Sequence, residues 1–438
     1  MHSAAQFITS FLIMFISTTA YTTIYEVGPN QTYNTPNALY LAEVLSAGDT
    51  INIAAQDYSG IDALAVWKQD DLLIRGIGGR PHLIADGQYI WGKGIWVLFG
   101  DNITVDNIEF SGAAVPDKNG AGIRLDGIGM KIRRCYFHDN ENGILTGNGG
   151  GEVSIEFSEF AYNGFGDGQS HNLYINNVDR FIFRYNYSHH AVVGHNLKSR
   201  AAENIIEYNR IMDEDSGNSS RLIDLSNGGL TTILGNLFMQ GPIATNRNLI
   251  GYGLEGLTKT VNELYVYNNT MVNKRASCVF IHLASGTSRA VVINNIFAGT
   301  GTIISGSVDI NTRNYISPMI SDAGFTDEGS FDYQLTQNSP AIDYGTSSIS
   351  PLPTKSYVHP VQSVNRAISN SIIDAGAYEY DQGIVENQPI KAEITVESGD
   401  ILVEDQKFGL VLKSPDGSCF RLQVNDSGGL STVEISCQ

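Results

Sequence analysis

Between about residues 50 and 316, short alternations of apolar and polar residues recur, each closed by a Gly, Asn or Asp turn. The stretches IRLDG at 123, ILTGN at 144, LYINN at 173, LKSRA at 197, IDLSN at 223, IGYG at 250 and IHLAS at 281 begin 21, 29, 24, 26, 27 and 31 residues apart. The second half of the repeat carries an Asn just before another apolar run: RYNYS around Asn186, EYNRI around Asn209, LGNLF around Asn236, VYNNTM around Asn268 and INNIF around Asn295. A unit of about 20 to 30 residues cannot bury an apolar face alone, whereas stacked units bury a continuous column and pair their backbones with the units above and below. The pattern predicts an all-β chain wound as a parallel β-helix, a solenoid in which Asn residues at equivalent turns bond to one another and to the backbone. A propeller or sandwich is the competing all-β reading, but antiparallel hairpins want two-residue turns at shorter spacing.

The ends read differently. A short amphipathic helix from about Thr35 to Leu45 precedes the first strand and would serve as an N-terminal cap on the open end of the solenoid. Toward the other end, NSPAIDYGT and IIDAGAYEYD flank Pro-containing loops, which puts the solenoid domain at residues 21–380. Residues 381–389 read as a linker into a small C-terminal β module, 390–438, with hairpin turns at SPDG and NDSGG. Residues 1–20 carry an apolar run from Phe7 to Ile16 and small residues up to Ala20, which matches a secretory leader and is too short to span a bilayer. The expectation is a secreted, extracellular protein, monomeric and without membrane insertion.

Composition agrees. Of 438 residues, 42% are hydrophobic and 17% charged, enough apolar material to fold, and 46 glycines without a Gly-X-Y period fit a turn-dense β chain rather than collagen. The formal charge of -19 repels phosphate backbones and anionic membranes, so no nucleic-acid partner is expected. A local basic cluster can still recruit an anionic ligand against that field. Among four cysteines, Cys135 in IRRCYF reads as a small buried hydrophobe, and Cys419 and Cys437 are close enough in sequence to bridge in an oxidising compartment. Asn-X-Ser/Thr sequons at Asn30, Asn102, Asn186, Asn218, Asn268 and Asn425 are what an Asn-rich chain generates by chance.

The densest chemistry lies between residues 171 and 200. Four of the nine histidines, His171, His189, His190 and His195, share this stretch with Tyr174, Lys198 and Arg200. If Leu173, Leu197 and Ile223 point inward, Tyr174, Lys198 and Asp224 form one outward row at about 4.8 Å per coil. A second row would hold Asn176, Arg200 and Ser226, and a third His171, His195 and Arg221. A one-residue slip would turn half of these groups inward. His189, His190, Tyr252 and Glu255 are candidate substrate-binding neighbours, His282 is outward but incidental, and of Trp67, Trp91 and Trp96 in the early coils an exposed one could stack on a sugar, while Trp96 in IWVLFG reads as core.

Basic groups, a phenol and imidazoles along a lateral groove suit an anionic, hydroxyl-rich polymer. In a uronate polysaccharide the C5 proton can be removed once the carboxylate is neutralised, and the 4-linked oxygen then departs by β-elimination. Arg200 is the first choice as neutraliser, able to bind a carboxylate bidentately, with Arg221 in reserve. Lys198 or His195 is the base. A lysine base must be neutral, which its cationic neighbours favour and Asp224 opposes, so His195 competes. Tyr174, with His171 behind it, would protonate the leaving oxygen. Calcium could replace the arginine, with Asp167 as an oxygen ligand, although no dense carboxylate set stands in the sequence. No zinc motif supports a metal role for the histidines.

At NGAGIRLDG, CYFHDNENGILTGN, GFGDGQSHNLYI, SHHAVVGHNLKSRA, IDLSNGG and YGLEG, over roughly residues 22–380, the chain resembles secreted right-handed parallel β-helix proteins of the pectate-lyase-like superfamily. The SHNLY, SHHA and VGHNLKSRA signatures point to one subgroup, whereas the coil pattern and DAGAYEY are widely shared. The resemblance implies a right-handed coil and, among its activities, polysaccharide lyases with Lys or Arg bases, often using calcium. In alginate and chondroitin lyases of this fold a Lys in a KS-containing coil acts with an Arg one coil later. Lys198 in LKSR matches that Lys. Arg221 lies 23 residues on but sits differently relative to IDLSNGG, which favours Arg200. The tail around GLVLKSPDGSCFRLQV resembles short modules on secreted or phage-associated proteins and implies attachment or assembly. The leading expectation is a lyase on an alginate- or pectin-like glycan. A glycoside hydrolase, using Asp224 with Asp167 or Glu255, and a non-catalytic carbohydrate-binding or adhesive solenoid are the alternatives.

Overall fold

The computed structural model describes residues 22–368, 372–380, 411–413, 418–424 and 430–435. The expected leader, the linker 381–389, Cys437, the sequon at Asn425 and the turns at SPDG and NDSGG lie outside these residues. Three parallel sheets of twelve, ten and eleven strands are built from the strands between Ile24 and Ser317, and successive neighbours in each sheet come one coil apart in sequence. The chain is a parallel β-helix.

Its interior is a set of register columns. In the ten-stranded sheet Ile123, Ile144, Leu173, Leu197, Ile223, Ile250 and Ile281 stack through successive pairings, all fully buried. In the eleven-stranded sheet Phe110, Phe137 and Phe160 stack face to face with ring centroids 5.0 Å apart, close to the coil spacing of about 4.8 Å. A slip of one residue would turn such a ring to solvent, so the columns hold the register. Trp67 and Trp96 are core, edge to face at 5.3 Å, while Trp91 is exposed.

Polar ladders close the corners. The chain leaves the twelve-stranded sheet on one residue in the left-handed region, as at Tyr185, Tyr208, Gly235, Asn268 and Asn294. The next residue is a buried Asn: Asn186, Asn209, Asn236, Asn269, Asn295 and, last, Asn314. Each amide donates to the oxygen of the next at 2.9–3.1 Å. That oxygen also accepts the backbone N–H of the Asn one coil earlier. The ladder runs through Asn269 and not the expected Asn268, because Asn268 takes the left-handed corner and turns its amide to the Asp374 carbonyl at 3.0 Å. A second ladder, Asn140, Asn163, Asn172 and Asn196, ends on Asp213 and sets the entry to strands Leu173–Ile175 and Leu197–Ser199. The sequon residues Asn186 and Asn268 are fully buried in these corners.

The N-terminal helix spans Pro36–Ala42, capped by Thr35 Oγ1, which accepts the Ala38 N–H at 3.2 Å. It is shorter than expected because Glu43 enters the left-handed region and ends it. Leu39 packs into the main core. At the other end, Arg366 is buried against Glu379, donating to it at 2.7 and 2.9 Å. The DAGAYEY segment docks on the late coils through Gly376 N–H to the Asn294 carbonyl at 2.7 Å and Ala377 N–H to Thr270 Oγ1 at 3.0 Å. Cys135 and Cys278 are buried free thiols, pushed up to about 12 by burial. The C-terminal module, by itself, pairs Val411–Lys413, Cys419–Val424 and Leu430–Ile435 antiparallel. Among the described residues no helix is long and apolar enough to cross a membrane.

Two substitutions test these joints. Asn209→Ala leaves the Asn186 N–H buried without its acceptor and removes the amide donation to the Phe183 carbonyl, and should cost about 2–3 kcal/mol, read as a lower urea midpoint. Arg366→Met strands Glu379 in the core and should cost about 3–5 kcal/mol; adding Glu379→Gln should recover part of the loss.

Candidate functional site

Strands Leu173–Ile175, Leu197–Ser199, Ile223–Leu225 and Asn248–Tyr252 are consecutive neighbours in the ten-stranded sheet. With Leu173, Leu197, Ile223 and Ile250 inward, the pleat turns Tyr174, Lys198, Asp224 and Gly251 outward in one register row. Just ahead of the strands, the His195 N–H donates to His171 Nδ1 at 3.0 Å and the Arg221 N–H donates to His195 Nδ1 at 3.1 Å. The two imidazoles stack at 4.8 Å. A Cβ at Gly251 would lie 3.0 Å from the Arg221 side chain and would press on the arginine that holds Asp224.

The charges form one network. Lys198 Nζ lies 2.6 Å from Glu255 and 3.3 Å from Asp224, and Arg221 Nη1 donates to Asp224 at 2.8 Å. Ser226 Oγ donates to Asp224 at 2.6 Å. Arg200 donates from Nε to the Tyr174 hydroxyl at 2.6 Å and also grips Glu255 and Asn227. Three cations thus face two carboxylates, a local positive excess in a chain of formal charge -19. Asp224 is fully buried, and Lys198 is nearly so, because Glu255 folds over it from the loop after Tyr252. Burial acts to raise Glu255, but hydrogen bonds from Lys198 and Arg200 outweigh it and hold the carboxyl below its usual range.

The histidines do not act as expected. Burial, joined by neighbouring cationic groups, drives His171 and His195 well below the ordinary imidazole value, so both are neutral. Each Nδ1 already accepts a backbone N–H, which places the proton on Nε2. His195 Nε2, 3.5 Å from Asp224, is therefore a donor, and His195 has no lone pair left to act as the base. His189 and His190 are not in this cluster. They lie in and just after Tyr187–His189 of the eleven-stranded sheet, His189 facing Glu159 at 3.2 Å and His190 facing Ser216 at 3.1 Å. Tyr252 is no subsite residue either. It pairs with Leu225 on the inward side of the pleat, fully buried, its hydroxyl donating to the Gly229 carbonyl at 2.6 Å. The same alternation that turns Gly251 outward turns Tyr252 inward.

Asn227 was missed from the sequence. It accepts from Arg200 and donates to the Gly256 carbonyl at 3.1 Å, tying the arginine to the Glu255 loop. Only its place directly after the IDLS strand could have signalled it. The oxygen set does not fit calcium, which wants 6–8 oxygens. Asp224 and Glu255 are committed to cations, and Asp167 lies exposed in a turn, accepting the Gln169 N–H at 3.0 Å.

A family model described as "Right handed beta helix region" matches residues 84–238. The crystal structure of pectate lyase Pel9A superposes with a TM-score of 0.56 at 16% identity, covering 82% of this chain and 97% of that one. A Geobacillus virus E2 protein, ORF18, matches at 12% identity over 90% of this chain and 80% of its own, with a TM-score of only 0.35. No curated protein matches the sequence. What is shared with Pel9A is the fold: the coils form a right-handed parallel β-helix.

The buried neutral imidazoles make stability depend on pH. Their folded values lie below the unfolded value of about 6.5, so the unfolded chain binds protons first as pH falls. Stability should be full above about pH 6.5 and decline below it by about 1.4 kcal/mol per pH unit for each imidazole, until the folded-state values are reached. Urea midpoints at pH 7.5, 6.5 and 5.5 should show this decline, and His195→Gln should flatten it.

Proposed function

We propose that this chain is a polysaccharide lyase that cleaves a uronate-containing glycan by β-elimination. The observation that carries the reading is that Lys198 and Arg200 together already hold a carboxylate, that of Glu255, beside the Tyr174 hydroxyl. A uronate carboxylate displacing Glu255 would meet the same two cations. Support for a polysaccharide as partner also comes from the similarly folded Pel9A, which is a pectate lyase.

Arg200 binds the substrate carboxylate and withdraws its charge, which acidifies the proton on C5. Lys198, freed from Glu255, presents Nζ to that proton and takes it as the base. The C5–H electron pair becomes the C4=C5 double bond as the C4–O bond breaks. The departing oxygen takes its proton from the Tyr174 hydroxyl, which Arg200 Nε polarises. Asp224 holds Lys198 and Arg221 in place, with His195 Nε2 3.5 Å away. The leader-like residues 1–20 support an extracellular site of action.

The hydrolase alternative would need Asp224, Asp167 or Glu255 as its acid. A glycosidase needs one carboxyl held protonated, whereas Glu255 is held below its usual range and Asp224 is buried among cations. A binding solenoid without chemistry would use the same carboxylate seat, so the product decides.

Ultraviolet absorbance of the unsaturated product should rise on polygalacturonate or alginate. Lys198→Ala and Arg200→Ala should each lower kcat/KM by about a hundredfold or more. No rise on any polyuronate, or a rise that both variants retain, would sink the lyase reading; binding without product would leave a carbohydrate-binding protein.

A further inference from the structure

The eleven-stranded sheet carries a second cluster that the lyase chemistry does not use. His82, Glu109 and His138 come from strands His82–Ile84, Glu109–Ser111 and Tyr136–His138, three consecutive coils. His82 stands directly opposite Glu109 in the register, and His138 lies two residues beyond Tyr136, the partner of Glu109 on the other side. One Glu109 oxygen is 3.6 Å from His82 Nε2 and 3.0 Å from His138 Nε2, and ligand atoms of all three residues lie within 4.8 Å of one another. Ligands about 2.0–2.1 Å from a tetrahedral zinc ion stand about 3.3 Å apart, a value these two distances bracket.

We propose that His82, Glu109 and His138 bind a divalent transition-metal ion of the zinc class. The orientation of the rings is the second argument. His138 turns Nε2 to Glu109 at 3.0 Å and Nδ1 to the Asp139 carboxylate at 2.7 Å, and His82 turns Nε2 to Ser111 at 2.7 Å and to Glu109 at 3.6 Å, with Asp57 3.7 Å from its Nδ1. Carboxylates behind ligating histidines fix their tautomer and raise their basicity. Two imidazoles and one carboxylate select zinc, cobalt, nickel or copper over calcium or magnesium. The three side chains are 17–24% exposed, which leaves a fourth position to solvent. Ser111 Oγ, 2.7 Å from His82 Nε2, stands beside that position. An ion here pins three coils together across the sheet and leaves the Lys198 cluster, in the ten-stranded sheet, untouched.

The test uses the full-length, untagged protein stripped with chelator and titrated with zinc by calorimetry and with cobalt by visible absorption. One equivalent of each should bind, excess calcium should not compete, and zinc should raise the thermal midpoint. His82→Ala and His138→Ala should each weaken zinc binding at least tenfold, and Glu109→Gln should do so with the least change in packing. Asp139→Asn should weaken it by about tenfold through the second carboxylate. Lys198→Ala should bind zinc as the wild type does, so failure of the lyase reading leaves this result standing. Absence of a one-equivalent site in the folded protein, or equal affinity in the folded His82, Glu109 and His138 variants, would overturn the proposal.

Discussion

Backbone pairing between coils, at about 4.8 Å, is the constraint on which this structure depends. Each coil buries its apolar residues only because the next coil repeats them in register, so one interior column calls for another. The Phe110, Phe137 and Phe160 stack satisfies this with rings. The Asn186 to Asn314 ladder satisfies it at the corners, where the backbone leaves a sheet and its N–H groups need acceptors.

The same constraint builds side-chain clusters. Residues a coil apart become neighbours, so Tyr174, Lys198 and Asp224 meet without any local motif, and so do His82, Glu109 and His138 on another sheet. Parallel stacking also concentrates like groups. Lys198, Arg200 and Arg221 are tolerated together because Asp224 and Glu255 come between them. Breaking one member leaves others buried and unpaired, so the network also supports the fold.

Parts of this were legible beforehand for a definite reason. Alternation along a strand is a property of the local backbone, and it places the rows containing Tyr174, Lys198 and Asp224, and His171, His195 and Arg221, once the inward residues are recognised. The same alternation, carried one residue past Gly251, turns Tyr252 inward with Leu225 and out of the groove. The clustering of His189 and His190 with His195 is close in sequence yet spans a corner, and the corner moves them to another sheet. The His82, Glu109 and His138 group carries no sequence signal, because its members are separated by whole coils whose lengths vary.

The sequence by itself determined the coil repeat, the inward columns and which groups could share an outward row, since these follow from pleat and period. Only the tertiary structure decided the protonation and the company of those groups. Glu255 reaches Lys198 from 57 residues away, and the tautomers of His171 and His195 are set by backbone N–H groups of the following coils. Desolvation and hydrogen bonding act through space, and no local pattern encodes which distant group will arrive.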